Sequence, residues 1–254
     1  MANNVERFSG RVTEYEKYRS RYPKAVIEIL TARCGLRRED LVADVGAGTG
    51  MLSELFLENG NAVVAIEPND GMRAVCEQLA SAWPGLTVKK ATAEVTGLED
   101  ASVNIVAVGR AWHWFDREAA VAEFRRVLKG GGWVVLVSNR RYKDGSAESA
   151  AFESILTEFG KGYDKTDRET RRAGAVEPLF KDGAVVREEL RGEQVLTLEE
   201  FLGQTQSFSV APLPGDAKYE GMQTALREFF VRFQQDGVLK MGTLCSVMAC
   251  QVSV

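Results

Sequence analysis

Three glycines alternate in the run Val42-Ala43-Asp44-Val45-Gly46-Ala47-Gly48-Thr49-Gly50, and an apolar stretch from Leu41 leads into them. A helical pattern starts at once with Met51, Leu52, Leu55 and Phe56. Glycine carries no Cβ, so the backbone there can take positive φ and a ligand can lie directly against it. The N–H groups freed at the start of the following helix point at whatever sits on the turn. A second apolar stretch, Ala62-Val63-Val64-Ala65-Ile66, ends on Glu67. A carboxylate at that tip can accept hydrogen bonds from both hydroxyls of a ribose. The chemistry these residues suit is recognition of a nucleoside cofactor.

The glycine spacing chooses between nucleosides. A dinucleotide fingerprint, G-x-G-x-x-G, puts its third glycine at position 51, which is Met51; this argues against a nicotinamide dehydrogenase. The glycines instead run G-x-G-x-G, with Asp44 two residues ahead of the first. On these residues the chain resembles the class I S-adenosylmethionine-dependent methyltransferases, whose first motif reads (D/E)-x-G-x-G-x-G. The resemblance implies S-adenosylmethionine as cofactor and S-adenosylhomocysteine as product. It assigns Asp44, Gly46, Ala47, Gly48, Gly50 and Glu67 to the cofactor site.

Those residues need elements to position them. Hydropathy predicts helices at 24–34, 49–59, 70–82 and 116–128, and strands at 41–46, 62–67, 86–91, 103–109 and 132–139. Ile105-Val106-Ala107-Val108 and Trp133-Val134-Val135-Leu136-Val137 do not alternate with polar residues, which marks strands covered on both faces, as in a parallel sheet between helices. Lys129-Gly130-Gly131-Gly132 reads as a helix stop followed by a strand start. Beyond Arg140 the pattern predicts helices at 146–160, 166–173, 197–205 and 216–235, with strands at 184–191 and 241–253. The resemblance implies an α/β, Rossmann-like, doubly wound sheet of seven strands, mostly parallel, with the last strand antiparallel between the fifth and sixth. The expected organisation is one domain: core 36–140 and 182–254, N-terminal cover 1–35 and a helical cap insertion at 141–181.

Further segments carry side chains suited to a site. After Glu67 come Pro68, which ends the strand, and Asn69 or Asp70, either of which can cap the next helix. Met72 has two readings: the polarisable thioether packs on an adenine face, as the resemblance implies, or it fills the core. Thr92-Ala93-Glu94 are similar to the family's third motif, which meets the adenine edge; Glu94 reads equally as a solvated loop carboxylate. Gly109-Arg110-Ala111-Trp112-His113-Trp114-Phe115-Asp116 stands at a strand's carboxyl end, where open α/β sheets bind ligands. This octet looks like the signature of a small-molecule subgroup that includes trans-aconitate methyltransferase-like proteins. The catechol type places a metal-binding Asp where Arg110 stands, so no metal is expected. Trp112 and Trp114 are candidates to line a substrate pocket and face a sulfonium charge. His113 is open to two roles, a general base or a structural histidine.

Near the start, Phe8-Ser9-Gly10 and Tyr15-Glu16-Lys17-Tyr18-Arg19-Ser20-Arg21-Tyr22-Pro23 partly match the family's opening motif. The resemblance implies that this segment folds over the cofactor, bringing Tyr18 and Arg19 to its carboxylate and Tyr15 to the substrate. The other reading is a charged amphipathic helix without contact. Arg140, with Arg141 beside it, can present guanidinium to an acidic substrate.

Bulk properties agree with a globular enzyme. The 254 residues are 45% hydrophobic and 27% charged, with 32 basic against 36 acidic side chains and a net charge of −4. That balance predicts no nucleic-acid-binding face. No membrane span and no leader are expected. Four cysteines without a C-x-x-C pair, beside one histidine, predict a reduced, cytoplasmic protein. The expected function is metal-independent methyl transfer to a small organic molecule, a carboxylic acid among the candidates, by in-line displacement. The rivals are a sensor or partner subunit that binds the cofactor without catalysis, and a methyltransferase of macromolecules.

Overall fold

The computed structural model describes residues 12–163 and 183–252. Phe8-Ser9-Gly10 and the helix expected at 166–173 lie outside the described residues. The chain forms α1 (Val12–Tyr18), α2 (Ala25–Cys34), β1 (Leu41–Val45), α3 (Met51–Asn59), β2 (Ala62–Ile66), α4 (Asp70–Ala82), β3 (Leu86–Lys89) and β4 (Val103–Gly109). A single 3-10 turn, Trp112–Trp114, precedes α5 (Arg117–Val127) and β5 (Leu128–Arg141). Then come α6 (Ala147–Phe159), β6 (Val185–Leu196), α7 (Leu198–Gln206), α8 (Tyr219–Phe233) and β7 (Leu239–Gln251).

One sheet holds all seven strands in the order β3-β2-β1-β4-β5-β7-β6. The first five pair in parallel, and β7 runs antiparallel between β5 and β6. This is the doubly wound, Rossmann-like sheet expected from the sequence, with its last strand in the expected place. Apolar strands without alternation end up covered on both faces. Val42, Ala65, Ile105 and Val135 belong to one packed core, while Val45, Ile66, Val106 and Val134 belong to the other. Because β1 and β2 are in register from Leu41↔Ala62 to Val45↔Ile66, Gly46 and Glu67 come out side by side above the sheet.

Two local expectations change. The glycines after Lys129 do not separate a helix from a strand. β5 already starts at Leu128, paired with Val103, and the register resumes at Ile105↔Trp133. The intervening glycines, with Gly131 at φ 77°, let the strand bulge without leaving the sheet. The helical layer over the far end of the sheet also draws on more chain than 141–181. Phe152 and Leu156 of α6 pack with Phe201 of α7 and with Met222, Leu226, Phe229 and Phe230 of α8 in a third core. The apolar faces of α7 and α8 find their partner there, since the sheet's two faces are already filled.

Candidate active site

The turn after β1 takes positive φ at all three glycines, 71° at Gly46, 61° at Gly48 and 89° at Gly50. They serve different ends. A Cβ on Gly46 would stand 2.5 Å from Ala111 Cβ and 3.1 Å from Phe115, so glycine lets the segment after β4 close over the turn. A Cβ on Gly50 would meet Leu79 and Cys76 of α4 at 2.8 and 3.0 Å, so this glycine serves helix packing. Gly48 has only Met72 Cε, at 3.8 Å, near its Cβ position, and its backbone forms the floor of a cavity.

That cavity, of about 170 Å³, opens at the carboxyl ends of β1, β2 and β4. Glu67, Pro68, Asn69 and Met72 line one side, Thr92, Ala93 and Glu94 another. Arg110, Ala111, Trp114, Phe115 and Tyr15 close it. Glu67 is fixed rather than free: Gly48 N donates to Oε2 at 2.8 Å and Asn69 N donates to Oε1 at 2.7 Å. Burial pushes the Glu67 carboxyl above its ordinary range, against these two bonds, which pull it down. Each carboxylate oxygen keeps a second lone pair, so the donor set fits a ribose diol. Asn69 caps α4 through Met72 N at 2.8 Å, which fixes the Met72 thioether at the cavity wall. Beneath the turn, Asp44 is fully buried; Ser53 donates to Oδ2 at 2.7 Å, while Oδ1 has no hydrogen-bond partner. Burial pushes the Asp44 carboxyl up to about 7. An orphaned buried acceptor under a glycine turn is what a cationic ligand group would complete. These residues fit S-adenosylmethionine.

Residues 43–136 match the family described as "Methyltransferase domain". An uncharacterized methyltransferase of Mycobacterium tuberculosis is 40% identical over 134 residues, covering 53% of this chain and 52% of that protein. A malonyl-[acyl-carrier protein] O-methyltransferase of a Marinomonas species is 31% identical over 134 residues, covering 52% and 49%. The chain thus spans about half the length of the curated relatives it matches. A solved structure of a proposed Type II methyltransferase from Anaeromyxobacter dehalogenans shares the fold, with a TM-score of 0.69 over 93% of this chain and 100% of that one at 22% identity.

Next to the nucleoside-shaped cavity lies a larger one, of about 360 Å³, between the ends of β5, β6 and β7 and helices α6 and α7. Seven cationic side chains and two carboxylates line it, in a chain whose net charge is −4. Ion pairs among the described residues hold several of the cations. Arg21 holds Glu16 and Glu54, Arg140 holds Glu189 at 2.9 Å, and Arg141 and Lys143 share Glu153. Arg110 lines both cavities. Its φ is 57°, a left-handed conformation that costs a non-glycine residue roughly 1–2 kcal/mol. Among the described residues it makes no ion pair; Nη2 donates to the Tyr15 hydroxyl at 3.2 Å, and its buried Nε has no hydrogen-bond partner. A partly buried guanidinium without a counter-charge is costly unless an anion arrives.

Several predicted site residues lie elsewhere. The 3-10 turn sends successive side chains in different directions, about three residues per turn. Trp112 therefore points into the core against Phe115 and Phe124, with centroids at 6.0 and 6.3 Å, and lines neither cavity. His113 faces solvent, its ring 4.4 Å from that of Trp114, and also lines neither. Ala47 and Gly50 belong to the turn without lining the cavity. Tyr18 donates to Glu199 at 2.7 Å and docks α1 on α7. Arg19 lines the cationic cavity, not the nucleoside one, donating to Ser207 Oγ at 3.2 Å and lying over the Phe208 ring. Sequence reasoning missed the wall residues Asn69, Ala111 and Phe115, and the cations Lys143 and Arg191. Among the described residues no helix is long and apolar enough to cross a membrane, and no group of three or more His, Cys, Asp or Glu could hold a metal.

Proposed function

We propose that this protein transfers a methyl group from S-adenosylmethionine to a carboxylate oxygen of a small anionic molecule. The observation that carries this reading is Arg110, a partly buried guanidinium with no ion pair among the described residues, shared between a nucleoside-shaped cavity and a strongly cationic one. The Marinomonas relative, named a malonyl-[acyl-carrier protein] O-methyltransferase, supports transfer to oxygen. The trans-aconitate methyltransferase-like look of residues 109–116 supports a small-molecule acceptor.

When bound, the cofactor would supply an activated methyl group on a sulfonium, and a carboxylate oxygen would accept it with the C–S electron pair left on sulfur and no proton to move. What the chain contributes is alignment and exclusion of water. Glu67 and the Gly48 backbone would hold the ribose, with Met72, Ala93 and Phe115 walling the base. Asp44 would meet the cofactor's ammonium charge. Arg110 would orient the attacking carboxylate and, once it is a neutral ester, lose its counter-charge, which favours release. No general base is needed, in keeping with the outward position of His113.

The test is release of S-adenosylhomocysteine from the purified protein with a panel of small carboxylic acids, their amides, and amines and phenols of matching size. Turnover confined to acids is expected. Tight cofactor binding with no turnover on any member would favour the sensor reading instead.

A further inference from the structure

Arg110 can serve both cavities only while its guanidinium stays at the opening between them, and a long side chain on a strained backbone does not stay there by itself. Its backbone is pinned, since Arg110 N donates to Val137 O on β5 at 3.1 Å. Its head lies between two aromatic rings, 5.7 Å from the Tyr15 centroid and 5.4 Å from that of Tyr22. The two rings differ. Tyr15 belongs to α1, which buries no residue, and itself lines the nucleoside cavity. Tyr22 is buried in the main core with Val26, Leu52 and Ala107 and lines neither cavity. The chain beside Tyr22 is fastened to the sheet, where Asn139 Nδ2 donates to Arg21 O at 2.7 Å.

A second contact ties Tyr22 to the strand end that carries Arg110. A Cβ on Gly109 would stand 2.7 Å from the Tyr22 hydroxyl oxygen and 3.3 Å from Leu52. Gly109 is not at positive φ, so its lack of a Cβ is explained by this approach and not by backbone strain. The phenol sits where only glycine leaves room, one residue before the left-handed turn. Burial pushes the Tyr22 hydroxyl up to about 12. It therefore stays neutral at physiological pH, and its oxygen accepts a hydrogen bond from Arg110 beside the ring face it offers, without supplying a counter-charge.

We propose that Tyr22 is a positioning residue: through its ring on Arg110 and its close approach to Gly109 it holds the guanidinium at the opening between the cavities, and so sets affinity for the anionic acceptor. This rests on the reading of Arg110 as the acceptor's anchor. Tyr22 touches neither ligand in this account and acts only through Arg110.

The experiment measures kcat and KM for the best acid of the panel, and the S-adenosylhomocysteine Kd, for the wild type and for Tyr22→Leu, Tyr22→Phe, Gly109→Ala and the Gly109→Ala/Tyr22→Phe double variant. Tyr22→Leu removes the ring and should raise KM about tenfold, the order of one lost charge-assisted contact, with kcat and Kd within about twofold. Tyr22→Phe keeps the ring but loses the hydroxyl that accepts from Arg110, and should raise KM less than Tyr22→Leu does. Gly109→Ala should also raise KM, and Tyr22→Phe in the same chain should relieve it by removing the oxygen the new Cβ strikes. If Tyr22→Leu does not fold, the Gly109 and Phe variants still decide. An unchanged KM in Tyr22→Leu, a rise in cofactor Kd instead, a parallel loss of kcat, KM and melting temperature, or a double variant no better than Gly109→Ala alone would each overturn the proposal. If the wild type binds S-adenosylhomocysteine but methylates no acid, the acceptor reading falls and this one with it.

Discussion

The Gly48 amide donates to Glu67 Oε2 at 2.8 Å, so the turn that ends β1 is fastened to the carboxylate that ends β2. This bond makes the cofactor floor and its ribose acceptor one rigid unit, because β1 and β2 are also in register beneath it. Glu67→Ala removes both the tie and the acceptor. Calorimetry should show S-adenosylhomocysteine affinity falling by about 100-fold or more, the order expected when two charge-assisted hydrogen bonds are lost. Affinity within about threefold of the wild type would remove Glu67 from the cofactor site.

Asp44 should give stability a pH slope of unusual sign. Its folded pKa of about 7 lies above the ordinary carboxylate value, so between about pH 4 and 7 the folded state binds a proton the unfolded chain does not. Its contribution to stability is therefore greatest at low pH and is lost as pH rises through the folded pKa. Asp44→Asn removes that slope. Relative to the wild type, the variant should gain on the order of 2–4 kcal/mol between pH 5 and pH 8, read as a widening gap in melting temperature, while cofactor affinity falls.

Gly46→Ala combines positive φ with a Cβ 2.5 Å from Ala111 Cβ. Strain and overpacking together should cost about 2–4 kcal/mol in denaturant unfolding. A cost below about 0.5 kcal/mol would mean that the segment over the turn yields freely.

Arg110 should trade stability for function. Asn accepts the left-handed conformation more readily, and Arg110→Asn also removes a partly buried cation that has no ion pair among the described residues. The variant should be as stable as the wild type or gain about 1 kcal/mol, while KM for the acid rises by about 100-fold. Loss of stability together with an unchanged KM would contradict the anchor role.

His113→Ala should leave kcat and KM within about twofold of the wild type, and the two pH–rate profiles should have the same shape. The single histidine of the chain was a natural candidate for a base, yet no local pattern says which way a lone 3-10 turn will face. Trp112 went to the core for the same reason. By contrast, Gly46, Gly48 and Glu67 were legible because strand, turn and carboxylate are set by short-range spacing and by one parallel pairing. The parallel core of the fold was legible too, from unbroken apolar runs, while the place of β7 between β5 and β6 followed from the family resemblance and not from any local pattern. The cationic cavity was not legible. Its arginines come from α1's end, β4, β5 and β6, and nothing in the sequence near Arg191 tells that β7 will set it beside Arg140, each opposite Leu244. Nor does a non-glycine residue at positive φ leave a mark, so the strain at Arg110 and the close approach of Tyr22 to Gly109 emerge only from the folded chain.

The central claim is that the methyl reaches a carboxylate oxygen. The protein should be incubated with methyl-labelled S-adenosylmethionine and the acid that best drives S-adenosylhomocysteine release, and the isolated product treated with alkali. An ester is expected, with the label liberated as methanol and the parent acid recovered. Label retained in the product through hydrolysis would place the methyl on nitrogen, sulfur, carbon or an ether oxygen, and would contradict the assignment of Arg110 as the anchor of the attacking group.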